Sequence, residues 1–181
     1  MRADYRLRNA GDTPMPFTLG LHSCFTAPAW FRVPLGMEQE RDGRNLPTGR
    51  YTALSDAQRA CVRGVDPRGR AVSGYFSSAG REAVIGDVLY RVSENFDHWV
   101  LYNGGGSAGF LCVEPQCGAV DGLNLPGGHR VLDPGAVSYT HLDVYKRQVH
   151  AHALPVAPQK IASPSCTPSR SITFAMVSSS A

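Results

Sequence analysis

Short apolar stretches broken by glycine and proline turns run through residues 1–136. Asp4-Tyr5-Arg6-Leu7-Arg8-Asn9 alternates polar and apolar residues, the period of a half-buried strand. Gly11-Asp12-Thr13-Pro14 is a turn cluster. Pro16 to Phe25 is apolar and aromatic enough for a buried strand, and Trp30 to Leu35 for another. Asn45-Leu46-Pro47-Thr48-Gly49 reads as a loop, and Ala57 to Val62 as a helical turn. Arg81–Ile85 and Val88–Val92 flank Gly86-Asp87, the signature of a hairpin. His98–Asn103 and Gly109–Glu114 are expected to pair across the glycines at 104–106. Strands and turns at this spacing predict an all-β sandwich or barrel, with no internal repeat.

Composition changes character near residue 137. Val137-Ser-Tyr-Thr-His-Leu-Asp-Val-Tyr-Lys-Arg-Gln148 resembles the in-frame translation of paired transposon ends used in sequencing libraries. Such a scar is set aside from fold reasoning. The chain has 18 Lys+Arg and 15 Asp+Glu. Residues 137–181 contain Lys146, Arg147, Lys160 and Arg170 against Asp143 alone. That leaves 14 basic residues, all arginine, and 14 acidic ones in 1–136. Residues 149–181 are rich in Ala, Pro and Ser without strand or helix period, and are expected to be disordered or spurious. The domain is therefore expected to be 1–136, followed by a scar at 137–148 and a tail at 149–181.

The neutral body removes the formal charge of +3 as an argument for nucleic acid, and no basic stripe supplies one. No apolar run approaches the roughly 20 residues of a membrane-spanning helix. The start, Met1-Arg2-Ala3-Asp4-Tyr5, has no apolar core of a signal peptide, so a cytoplasmic location is expected. Five cysteines (Cys24, Cys61, Cys112 and Cys117, with Cys166 in the tail) form no CxxC pair. They are expected to be small buried thiols in a reducing compartment rather than a metal or redox motif. Cys24 lies two residues after His22, which suits a Cys–His nucleophile or the simple pleating of a strand.

Two distant segments carry candidate chemistry: Gly20-Leu21-His22-Ser23-Cys24-Phe25 and Val113-Glu114-Pro115-Gln116-Cys117-Gly118. An imidazole and a carboxylate are sufficient to open and reclose an aldose ring, since one removes the anomeric proton while the other protonates the ring oxygen. The segments resemble the active-site strands of the aldose 1-epimerases, or galactose mutarotases. Leu19-Gly20-Leu21-His22 with Phe25 is similar to the family's Gly-x-His-x-x-Phe segment. Asn9 to Phe17, Asn45-Leu46-Pro47-Thr48-Gly49, Val113-Glu114-Pro115-Gln116, Asn124 and Leu132-Asp133-Pro134-Gly135 match further segments in the family's order.

The resemblance implies the C-terminal half of a galactose mutarotase-like β-sandwich, in a family whose chains are about twice as long. It implies His22 as general acid and Glu114 as general base, acting on a small-molecule sugar without cofactor or metal. Gln116, on the strand face of Glu114, is expected to bind a hydroxyl or orient the carboxylate. Phe96-Asp97-His98 resembles the family's Tyr-Asp-His segment, which implies Asp97 as a sugar-binding residue; the shorter spacing to Glu114 here suits equally a plain loop residue. Trp99 and Tyr102 are expected either to stack on the sugar or to fill the core. The family's N-terminal half brings an arginine and another histidine, so this segment alone is expected to be inactive or nearly so. A half-sandwich is also expected to expose edge strands and one apolar face. Two alternatives remain open at this stage: a hexose-6-phosphate 1-epimerase, and a non-catalytic carbohydrate-binding domain.

Overall fold

The computed structural model describes residues 1–146. The expectations for residues 147–181, Cys166 included, lie outside the described residues. Strands form at β1 (Arg2–Arg8), β2 (Met15–Phe17), β3 (Leu19–Gly20), β4 (Cys24–Thr26), β5 (Phe31–Arg32), β6 (Leu35–Arg41) and β7 (Pro47–Thr52). One helix, α1 (Asp56–Arg63), follows. The remaining strands are β8 (Ser73–Ser78), β9 (Glu82–Ile85), β10 (Val88–Val92), β11 (His98–Tyr102), β12 (Phe110–Cys117), β13 (Arg130–Leu132) and β14 (Val137–Lys146). The larger sheet runs β3-β12-β11-β8-β6-β7, with β4 also on β12; the smaller runs β1-β14-β10-β9-β5. All named pairings are antiparallel.

The two sheets enclose one core. Trp99 and Leu101 of β11, Leu111 and Val113 of β12, and Phe76 of β8 face Tyr90 and Val92 of β10, Ala83 and Ile85 of β9, and Phe31. Side chains alternate across a strand, so the other face of the larger sheet carries His98, Glu114, Gln116, Tyr75 and Ser77. The expected uncovered apolar face is thus replaced by a sandwich whose free face is polar and aromatic. Trp99 is fully buried and its indole N–H donates to Ser78 Oγ at 3.0 Å, so it serves the core and not a sugar. Tyr102 stays exposed, its ring 5.9 Å from that of Phe110.

Local chemistry explains where elements start and stop. Ser55 caps α1 reciprocally with Gln58, satisfying two backbone donors that a helix start leaves free. The hairpins at Gly86-Asp87 and across Gly104–Gly106 form as expected. The single strand expected over Pro16–Phe25 is instead three short ones. Leu21 and Ser23 make a tight turn, with Ser23 N donating to Leu21 O at 3.0 Å, which lifts His22 out of the ladder. Trp30–Leu35 also divides, because Pro34 lacks the N–H a continuous strand needs and the chain crosses there between sheets. Of the loop expected at Asn45–Gly49, residues 47–49 already belong to β7.

Residues 137–146 correct a further expectation. They form β14, paired with β1 on one side and β10 on the other, with Leu142 buried in the core. The segment set aside from the fold therefore shares the core of 1–136 throughout its described part. The physical reason is local: Val-Ser-Tyr-Thr-His-Leu-Asp-Val-Tyr is β-branched and aromatic, and strands on both sides offer it unpaired backbone groups. No helix among the described residues is long and apolar enough to cross a membrane.

Candidate active site

The register of the larger sheet builds the site. Gly20 faces Gln116 in the β3–β12 pair, and Cys24 faces Cys112 in the β4–β12 pair. No slip occurs between them, so His22 falls opposite Glu114. Its Nε2 lies 3.3 Å from Glu114 Oε1. The two partners differ in environment: the His22 side chain is 59% exposed and that of Glu114 only 11%. The carboxylate is thus embedded in the sheet, whereas the imidazole faces solvent. Burial pushes the Glu114 carboxyl above its ordinary value, against the opposing influence of His22. A carboxylate kept partly from water in this way is a stronger base once ionised.

Gln116 sits one step along the same face. Its side chain lies over Gly20, where an added Cβ would meet Gln116 Nε2 at 3.3 Å. A small residue at position 20 is what lets the amide rest there. His98 is the register neighbour of Gln116 on β11, which extends the row of polar side chains across the sheet.

Asp97, beside this row, is tied to three protein partners. Its Oδ1 accepts from His98 Nδ1 at 2.7 Å and from Gly118 N at 2.8 Å, and its Oδ2 accepts from Arg130 at 2.8 Å. Burial alone raises the Asp97 carboxyl, but these hydrogen bonds and the neighbouring charges outweigh it and hold the group below the ordinary aspartate value. Both oxygens are engaged by the protein, so the geometry has Asp97 holding its neighbours. His98 Nε2 in turn lies 2.8 Å from Tyr51 Oη. Sequence reasoning gave neither Tyr51 nor His98 a role. His98 closes the quoted Phe96-Asp97-His98 segment, but nothing local ties Tyr51 of β7 to β11.

The cysteines depart from expectation as well. Cys61 and Cys117 are buried thiols, but Cys24 and Cys112 form a disulfide. They are direct register partners on one face, with Cα atoms 4.1 Å apart. His22 Nδ1 lies 3.7 Å from Cys24 Sγ. A disulfide sulfur is neither the thiolate a nucleophile requires nor the thiolate that binds metal. In this form the cluster of His22, Cys24 and Cys112 therefore serves neither purpose.

No family model matches the chain. Solved structures do. A galactose mutarotase-like protein from Clostridium acetobutylicum superposes with a TM-score of 0.74 at 21% identity, over 82% of this chain and 52% of that one. The fold is galactose mutarotase-like. An aldose epimerase homologue from C. elegans agrees, with a TM-score of 0.54 and 12% identity over 81% of this chain and 57% of its own. So does a galactose mutarotase-like protein from Lactobacillus casei, at 0.53 and 17%, over 79% and 57%. The chain spans about half the length of these mutarotase-like structures. In this mutarotase-like sandwich, the polar row from His22 to His98 occupies the free face of the larger sheet.

Proposed function

We propose that this segment carries the acid/base pair of an aldose 1-epimerase, which interconverts the α and β anomers of a free sugar. The observation that carries the reading is the His22–Glu114 pair, 3.3 Å apart, with the carboxylate buried and the imidazole exposed. Glu114 takes the proton of the anomeric hydroxyl while protonated His22 delivers one to the ring oxygen, and the ring C–O bond breaks. The aldehyde carbon rotates, the ring oxygen attacks its other face, and both protons return. Proton count and charge are restored at the end of each turnover, so the cycle consumes no cofactor.

The direct contact leaves no space for a ring between the two groups. Sugar entry therefore requires the exposed imidazole to swing outward, which its environment permits. Gln116, beside Glu114, offers an amide to a neighbouring hydroxyl. The mutarotase-like fold supports this reading over an unrelated use of the same pair.

The test is anomer exchange followed by NMR, on this chain and on the gene product its locus encodes. Glu114→Gln is expected to reduce exchange to the rate of buffer, with sugar binding retained. Exchange unchanged by the substitution would sink the assignment of the base and favour a non-catalytic sugar-binding domain. A phosphosugar substrate would require free cations on this face. Arg41 there is engaged with the Tyr75 ring, 5.0 Å from its centroid, and with Ser73.

A further inference from the structure

We infer that Tyr51, aligned by His98, recognises a sugar hydroxyl remote from the anomeric carbon; this rests on the reading of the His22–Glu114 site given above. The chain of contacts is continuous. Arg130 and Gly118 N hold Asp97, Asp97 accepts from His98 Nδ1, and His98 Nε2 meets Tyr51 Oη at 2.8 Å. In the uncharged tautomer whose Nδ1–H donates to Asp97, Nε2 is an acceptor only. Tyr51 must then donate its hydroxyl proton to His98. Its oxygen lone pairs are left to accept a hydrogen bond from outside, and a sugar hydroxyl is such a donor.

Placement gives the hydroxyl its position. His98 is the register partner of Gln116 and the diagonal neighbour of Glu114, a separation of about 7–8 Å. A pyranose with its anomeric carbon at Glu114 and its ring laid along this row brings its far hydroxyls within reach of His98 and Tyr51. Tyr51 reaches this point from β7 over the two intervening strands, β6 and β8. Its register partner beneath, Gln39, is fully buried and donates to Val120 O at 3.2 Å. The tyrosine lies at the rim of the same free face with about a third of its surface exposed, at 36%. Asp97 and Arg130 act through His98 and are positioning residues.

The experiment compares wild type and Tyr51→Phe in anomer exchange, on this chain and on the gene product its locus encodes. The probes are D-glucose and D-galactose, each with its monodeoxy analogues. Tyr51→Phe removes one neutral hydrogen bond and is expected to raise KM for the preferred hexose about fivefold, with kcat within about twofold. For one monodeoxy analogue, wild type and variant should share the same KM, since the partner hydroxyl is already gone. His98→Ala should repeat the KM defect, and His98→Gln, which restores an acceptor near the Nε2 position, should recover part of it. A merely structural role would lower the melting temperature and shift KM equally for every sugar. If wild type exchanges sugars and Tyr51→Phe matches it for all of them, this inference fails and the acid/base reading stands. If the wild-type gene product that the locus encodes neither binds nor exchanges any hexose, the acid/base reading fails and takes this inference with it.

Discussion

Asp97→Asn tests the polar scaffold of the site directly. The carboxylate accepts three hydrogen bonds, from His98, Gly118 N and Arg130. Asparagine retains one acceptor oxygen and replaces the other with an N–H donor. Either Arg130, or His98 Nδ1–H together with Gly118 N, then faces a donor. A hydrogen bond to a charged group contributes about 1.5–3 kcal/mol when well shielded. The Asp97 side chain is 41% exposed and Arg130 36%, so solvent screening reduces this, and we expect a loss of about 1–2 kcal/mol. In a domain of this size that lowers the melting temperature by roughly 3–6 °C. The dependence on pH has a definite sign. The folded-state pKa of Asp97 lies below its ordinary 3.8. Its contribution is therefore complete above 3.8 and is lost as pH falls through the lower folded value. Thermal unfolding followed by circular dichroism should show a gap between wild type and Asp97→Asn near neutral pH that narrows in acid. A gap of equal size at both pH values, or none near neutrality, would refute the argument, because neither depends on the carboxylate charge.

Glu114 has the opposite sign: its folded pKa is raised, so stability falls as pH rises from its ordinary 4.5 through the folded value, and the penalty is complete above that. Glu114→Gln should unfold at a higher temperature than wild type near neutral pH and show no such advantage in acid, while anomer exchange is abolished. Leu142→Ala truncates a side chain that is 2% exposed and should cost about 2–5 kcal/mol by urea denaturation; a negligible loss would mean β14 is not part of the core. Alkylation of the denatured, unreduced chain followed by mass spectrometry should label Cys61 and Cys117 but leave Cys24 and Cys112 unmodified. Sequencing uncloned DNA through codons 137–148 should give a reading frame that continues past Gly135 without the adaptor-like segment; its presence in the genome would overturn that assignment.

Much of the fold was legible because β-structure announces itself locally. The alternation in Asp4–Asn9, the Gly86-Asp87 turn and the glycine turn between β11 and β12 each depend on a few consecutive residues. Errors arose where distant strands decided the outcome. Pro16–Phe25 has the composition of one strand, yet it is broken at His22 by a turn between β3 and β4. Residues 137–146 were excluded on origin, but a strand's acceptance into a sheet depends on β-propensity and open neighbours, not on provenance. Cys24 and Cys112, 88 residues apart, become partners only through register.

The amino-acid sequence by itself determined the all-β class and the ordered motifs of a mutarotase-like half, and it singled out His22 and Glu114 as the candidate pair on which the proposed acid/base chemistry rests. These follow from periodicity and from side-chain chemistry, which a linear chain displays directly. Tertiary structure alone decided that β12 holds Glu114 opposite His22, that burial tunes the carboxylate upward, and that Trp99 belongs to the core. It also brought Asp97 into hydrogen bonds with His98, Gly118 N and Arg130, and His98 within reach of Tyr51. Those outcomes depend on pairing across the sheet, where residues far apart in the chain share one face, and no local pattern encodes which residues will meet there.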